Sequence, residues 1–260
     1  MKFNKISALV LALSTAGAAQ AALTAGDIAV IGRTNNTTPD AFSFVALSAI
    51  SAGEVIYFTD NGWTGSAFRN TVNDGDGNEN LLKWTAGSTI AAGTIINTAT
   101  SSGFTTSGAV PNNVGGGGSF ALLALATGGD QIYAFQSNGT NLPLINVSTH
   151  LFAFDDTNGF ENATGTGDGG ITPGLVNGTT AVSISGNVAG THALRASFLG
   201  ETHTRAEWLS IIGTAGNWST ASALPTGTLA ITAVPEPTSG AIALAGLAVA
   251  GLVARRRKAA

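Results

Sequence analysis

The chain contains no cysteine, and charged side chains make up only a tenth of its 260 residues. Without cysteine there is neither a disulfide nor a thiol nucleophile, so an exported domain of this size has to be held by its core, with bound ions as the remaining staple. Bases are scarcer still once position is considered. Six of the eleven are Lys2, Lys5, Arg255, Arg256, Arg257 and Lys258; from Ala22 to Ala233 only Arg33, Arg69, Lys83, Arg195 and Arg205 remain, against fourteen acidic side chains, a formal charge of −9. A surface of that sign repels phosphates and anionic lipid heads, which excludes nucleic acid and better suits divalent cations or neutral sugars. Catalytic signatures are missing too. There is no Gly-x-Ser-x-Gly elbow, the GGGGS run at 115–119 lacks the lysine of a phosphate cradle, and His150, His192 and His203 are scattered rather than paired on one helix face. The chain therefore reads as a non-enzyme, although carboxylate pairs for sugar hydrolysis are set by space and leave no trace in spacing.

What is present is informative first at the ends. MKFNKISALVLALSTAGAAQA, residues 1–21, places two lysines before an apolar run and ends in the small-x-small tripeptide Ala19-Gln20-Ala21. These are the three regions of a secretory signal peptide, with cleavage expected before Ala22 and the Sec machinery as the export partner. The other end reads VPEPTSGAIALAGLAVAGLVARRRKAA, residues 234–260. Pro235 and Pro237 prevent a helix from running backwards out of the uncharged span 238–254, and Arg255, Arg256, Arg257 and Lys258 would hold its far end on the cytoplasmic side. As a helix the span reaches about 25 Å, a little under the roughly 30 Å hydrocarbon core, so it reads as a short membrane span and a weak anchor.

The order of these features resembles the PEP-CTERM sorting signal of Gram-negative bacteria, with Pro235, Glu236 and Pro237 as its motif and Arg255 to Lys258 as its basic end. The resemblance implies recognition and cleavage near the motif by an exosortase, a membrane transpeptidase-like enzyme, so that residues 238–254 occupy the inner membrane transiently, and delivery to the cell surface or the exopolysaccharide matrix. The body, residues 22–233, is more loosely similar to a Gly/Thr/Asn-rich β domain often attached to this signal, through GDIAVIG, DAFSFVAL, VIYFTDNGW and TPGLVNGTTAVSI. No activity and no catalytic residue come with that similarity.

Within the body, apolar residues come in short bursts of period two separated by turn formers, which predicts strands at 27–32, 42–48, 54–59, 81–84, 94–98, 119–126, 130–136, 181–185 and 228–232. Many short strands at this spacing predict a mainly β fold, an antiparallel β-sandwich, with jelly-roll and immunoglobulin-like topologies left open. TGGD at 127–130 is expected to close a hairpin. Ser101 to Gly118 and Asn158 to Gly178 read as irregular. One helix is expected near residues 205–212, opened by a Thr204/Glu207 capping box and closed by Gly213, with Ala206, Leu209 and Ile212 on its buried face and Trp208 or Ile211 at the edge.

Four places are candidates for chemistry. In NDGDGNEN, residues 73–80, Asp74, Asp76 and Asn78 alternate like the first oxygen ligands of an EF-hand loop and suit Ca²⁺, but Glu79 stands where the turn glycine belongs and Thr85 where the bidentate Glu belongs. A Ca²⁺ loop completed by an outside carboxylate such as Asp60 and a plain solvated turn both remain open. Asp155, Asp156, Glu161 and Asp168 form a second acidic group with the same two readings. Trp63 either caps the core beside Phe58 or presents a platform for a sugar ring. His203 and Glu207 fall four apart at the helix start, which reads as a solvent-facing pair. The function expected from all this is a structural or adhesive surface or matrix protein in biofilm or floc; an extracellular sugar- or small-ligand-binding module is the alternative, and a secreted hydrolase a more distant one.

Overall fold

The computed structural model describes residues 22–69, 79–108, 120–138, 144–157, 159–161, 169–184 and 189–232. Their order is β1 (Ile28–Thr34), β2 (Ala41–Ala46), β3 (Val55–Thr59), β4 (Leu81–Thr85), β5 (Ile95–Asn97), β6 (Phe104–Thr105), β7 (Gln131–Ser137), β8 (Val147–Asp155), β9 (Ala181–Ser183), β10 (Thr191–Leu194), β11 (Thr202–Thr204), α1 (Arg205–Gly213), β12 (Trp218–Thr220) and β13 (Ala230–Thr232). The fold is mainly β, as the strand periodicity predicts, with one α-helix among the described residues. Five strands form a sheet in the order β12-β10-β1-β2-β5 and six form a second in the order β6-β4-β3-β7-β8-β9, while β11 and β13 pair apart from both.

Period two explains how the sheets meet. On β3, Ile56 and Phe58 point to the main core, as do Leu82 and Trp84 on β4, Ile132 and Ala134 on β7 and Phe152 and Phe154 on β8; Ile28, Val30, Phe42 and Phe44 come from the five-stranded sheet. Aromatic rings bridge the layers: Phe42 to Phe58 at 4.9 Å, Phe44 edge-on to Trp84 at 5.4 Å, and Phe154 to Trp218 at 5.3 Å between centroids. The alternate residues, Tyr57, Tyr133, Phe135, Ala153 and Ala181, face outward and are covered by Trp63, Phe68, Phe120, Leu144 and Leu175 in a second cluster. β1 and β2 are buried along their whole length. Their other face is closed by α1 and the segment before β13, where Ser43 Oγ donates to the Pro225 carbonyl at 2.9 Å.

Pairing is not wholly antiparallel: β8–β9 and β11–β13 are parallel. The irregular stretch expected at 101–118 contains the two-residue β6, which pairs with β4. The larger correction concerns 119–126 and its hairpin. Residues 121–126 make no ladder, although the chain does turn after Ala126, with the Gly129 N–H donating to its carbonyl. The reason is that side chains take the backbone. Ala124 N–H goes to Asp60 and Ala126 N–H to Asp130, while the carbonyls of Leu122 and Ala126 accept from Asn80 and Asn35. An alternating run whose polar backbone is satisfied this way has no need of a strand partner.

The helix starts where its capping box places it: Thr204 Oγ1 accepts from the Glu207 N–H, and the Glu207 carboxylate accepts from the Thr204 N–H. Thr204→Ala is expected to lower stability by about 1 kcal/mol, read from the thermal midpoint. The buried face differs from the expected one. Trp208 and Ile212 are buried and Ala206 is exposed, so the indole is the helix's centre of contact and not its edge. Gly213 serves proximity: a β-carbon there would lie 2.3 Å from the backbone of Gly178. Among the described residues no helix is long and apolar enough to cross a membrane; the signal peptide at 1–21, the span 238–254 and the basic end 255–258 lie outside them.

Candidate functional site

β3 ends and β4 begins at one end of the six-stranded sheet, with Thr59 opposite Leu81; β7 begins and β8 ends there as well, with Gln131 opposite Asp155. Residues flanking these strand ends therefore converge: Asp60 and Asn61 after β3, Glu79 and Asn80 before β4, Asp130 before β7, and Asp156 after β8. From the facing sheet, β1 brings Arg33 to the same end, where its guanidinium, 1% exposed, pairs with the equally buried Asp156 carboxylate and donates at 2.6 Å to the Gly190 carbonyl.

Each carboxylate is engaged. Asp60 accepts from the Asn80 N–H at 2.6 Å and the Ala124 N–H at 2.9 Å, and its own carbonyl accepts from the Gln131 side chain. Asp130 accepts from the Ala126 and Gln131 N–H groups, both at 2.8 Å. Asp156 accepts from the Asp130 N–H at 2.6 Å, and its N–H returns a bond to the Asp130 carbonyl. Asp155 accepts from Ser183 on β9 and from Thr157. The Asn61 Oδ1 is buried and has no hydrogen-bond partner.

Burial dominates the electrostatics. It pushes the Asp60 carboxyl up to about 6 against the pull of its hydrogen bonds, including one with the Glu79 side chain. Asp130 is raised well above the usual carboxylate range by burial and then by repulsion from Asp60. Asp40 is raised by burial, and the Arg33 guanidinium is lowered by burial to about 10. The group is a buried, net-acidic cluster with one central cation. Chemically it can hold protons or positive charge at neutral pH, and mechanically it fastens the segment 122–126 and the start of β4 to the sheet.

The candidates read from the sequence divide as follows. Asp60, Asp155 and Asp156 are brought to this end, while Glu161 lies exposed on the loop after β8. Asp74, Asp76, Asn78 and Asp168 lie outside the described residues, as do Pro235, Glu236, Pro237 and Arg255 to Lys258. Among the described residues, no group of three or more His, Asp or Glu is arranged to hold a metal ion. Trp63 is 6% exposed and sits in the outer cluster with Phe68 and His150 at 5.1 and 5.2 Å, so it caps a core, though not the one holding Phe58. Stacking on a sugar would require exposing that ring. His150 is lowered to about 4 by burial and its Nδ1 has no partner; the Trp63 Nε1 is unpartnered as well. His203 lies 2.7 Å from Glu201 and 4.0 Å from Glu207, whose carboxylate serves the helix cap instead.

Arg33, Asp130 and Asn80 went unnoticed in the sequence. The signal was a charged or amide residue abutting an apolar strand, as in IAVIGRT and GGDQIYAF, where a solvated end would not bury it.

Comparison with known proteins identifies one segment. The family model for the PEP-CTERM protein-sorting motif matches residues 233–258. No curated protein and no solved structure matches the chain.

Proposed function

We propose, from the premise that this PEP-CTERM protein is exported and targeted to an exosortase, that its β-sandwich works at the cell surface or in the extracellular matrix of a Gram-negative bacterium. Its role there is structural or adhesive, through association with exopolysaccharide in biofilm or floc, and involves no catalysis. The observation that carries the reading is the sorting motif at 233–258, which begins at the residue following the last described strand and directs a folded β domain toward the envelope. Support comes also from the body's acidic, base-poor composition, which disfavours anionic partners and leaves neutral polymers. The test compares the parent strain with strains lacking either this protein or the exosortase. Expected are a shortened protein in the surface or matrix fraction of the parent, loss of that form without the exosortase, and weakened floc or pellicle without the protein. A mature form confined to the cytoplasm, or a surface form with its tail intact, overturns the sorting; unaltered cohesion and no retention on purified exopolysaccharide overturn the role.

The Ca²⁺ reading of Asp74, Asp76 and Asn78 is carried by the ends of their loop, where Asp60 and Glu79 share a hydrogen bond beside Asp130 and Asp156 with Arg33 as the cation. Such a site gains from an added positive charge. Calcium at a hundredfold excess over its Kd stabilises a fold by about 2.7 kcal/mol, or a rise of about 5–10 °C in the thermal midpoint for a domain of this size, which EDTA should reverse. An unchanged midpoint makes the loop a turn only.

A further inference from the structure

The last described strand lies close to the segment that is to be cut. β13 ends at Thr232, and the matched sorting motif begins at Ala233, two residues before Pro235. An enzyme that cuts a peptide holds it extended over several residues, often as an added strand. Two residues of extended chain reach only about 7 Å, which leaves little room between a folded domain and a membrane-embedded active site.

The hydrogen bonds around β13 show where the chain can give. Before the strand, Leu229 is buried in the core, its N–H donates to the Gly93 carbonyl at 2.8 Å, and Gly227 accepts from Ile95. Gly93 has φ +91°, and a β-carbon there would stand 2.1 Å from the Leu229 carbonyl oxygen, so this part of the chain is packed against backbone. After Leu229 the hold is lighter. Ala230 and Thr232 are exposed, Ile231 is half-buried, and among the described residues β13 pairs only with the three-residue β11, in parallel and outside both large sheets. The Trp208 indole N–H donates to the Ala230 carbonyl at 3.0 Å, and Ile231 packs at the margin of the main core.

We infer that β13 is a releasable strap: it leaves β11 so that residues 230–234 enter the processing enzyme extended, with Leu229 remaining in the core as the anchor. Release adds Ala230 to Thr232, about 10 Å of extended chain, to the reach before Pro235, and none of these three side chains is fully buried. Processing then requires local opening and not global unfolding. The inference rests on the exosortase reading above and adds to it that the β11–β13 pairing limits the rate of cutting.

The test follows precursor-to-mature conversion of the full chain by pulse-chase in a host with the exosortase. Because the chain has no cysteine of its own, Thr202→Cys with Ala230→Cys places one designed pair at register partners on neighbouring strands, a separation that a disulfide spans. The oxidised form should accumulate as precursor and be cut once reduced. A Gly-Ser-Gly-Ser insertion between Thr232 and Ala233 should restore cutting of the oxidised form and speed that of the otherwise unaltered chain several-fold, while the same insertion at the exposed Gly53 turn should leave the rate as it was. If the cross-linked precursor is processed at the parent rate, or if the two insertions act alike, the strap is overturned and the sorting reading stands. A parent chain left uncut in hosts with and without the exosortase overturns both.

Discussion

Replacing Arg33 with methionine should cost about 3–5 kcal/mol, the loss typical of removing one partner from a buried ion pair. Against the usual 5–15 kcal/mol of a folded domain, that lowers the urea midpoint by about a fifth or more. The argument begins with position. Arg33 lies on a strand buried along its whole length and reaches across to Asp156, the link that ties the five-stranded sheet to the end of β8. Methionine fills much of the volume but leaves Asp156 buried without a counter-charge and the Gly190 carbonyl without its donor. It also removes the cation that draws Asp130 and Asp40 toward ionisation. The loss should therefore be greater at pH 8, where these carboxyls must ionise, than at pH 5. Adding Asp156→Asn removes the stranded charge yet keeps an oxygen for the Asp130 N–H, so the two changes should couple by about 1–3 kcal/mol. Strict additivity would mean that Arg33 and Asp156 act independently despite their contact.

Much of the β framework was legible because it is local. EVIYFT, LLKW and DQIYAFQ alternate in period two, and one face of each does enter the main core. The capping box of α1 is likewise a four-residue relation. β8, the longest strand, escaped for two physical reasons. After Val147 it continues with the polar Ser148, Thr149 and His150, of which His150 lies against Trp63 and Phe68, and its register with β7 shifts where Phe135 meets His150, so its residues break strict alternation. β10, β11 and β12 are three or four residues each and rich in polar side chains, too short for periodicity to speak. SFALLALA was overread because nothing in its own sequence announces that Asp60, Asn80, Asp130 and Asn35 take its backbone bonds. The acidic site was half legible for the same reason. YFTD and FAFDD mark Asp60, Asp155 and Asp156 at strand ends, but only the register places Asp130 beside them and only the packing of two sheets brings Arg33. The sorting tail needed none of this, since a linear motif is read without a fold.

Asp60→Ala is expected to be the other severe change. It strips the acceptor from two backbone N–H groups, those of Asn80 and Ala124, and each donor left unsatisfied in a buried place costs about 1–3 kcal/mol, so a loss of about 2–6 kcal/mol follows. It should also flatten the pH dependence of stability. In the folded chain the Asp60 carboxyl is raised, chiefly by burial, to about 6, above the value near 3.9 of an unfolded aspartate. The folded state thus binds the proton more tightly, so the stabilisation it gives is complete below about pH 4 and is lost as the pH climbs through about 6. The raised Asp130 carboxyl acts in the same direction, while Arg33 opposes the shift of Asp130 and the hydrogen bond with Glu79 that of Asp60. In metal-free buffer the parent domain should therefore be less stable, and unfold at lower urea, at pH 7.5 than at pH 5, by an amount on the order of 1 kcal/mol from Asp60 alone. Asp60→Ala should be less stable than the parent at both pH values, with a smaller difference between them. A parent that is more stable at pH 7.5 in that buffer would show that ionised Asp60 is compensated by the fold's own groups, and would overturn this account of the site.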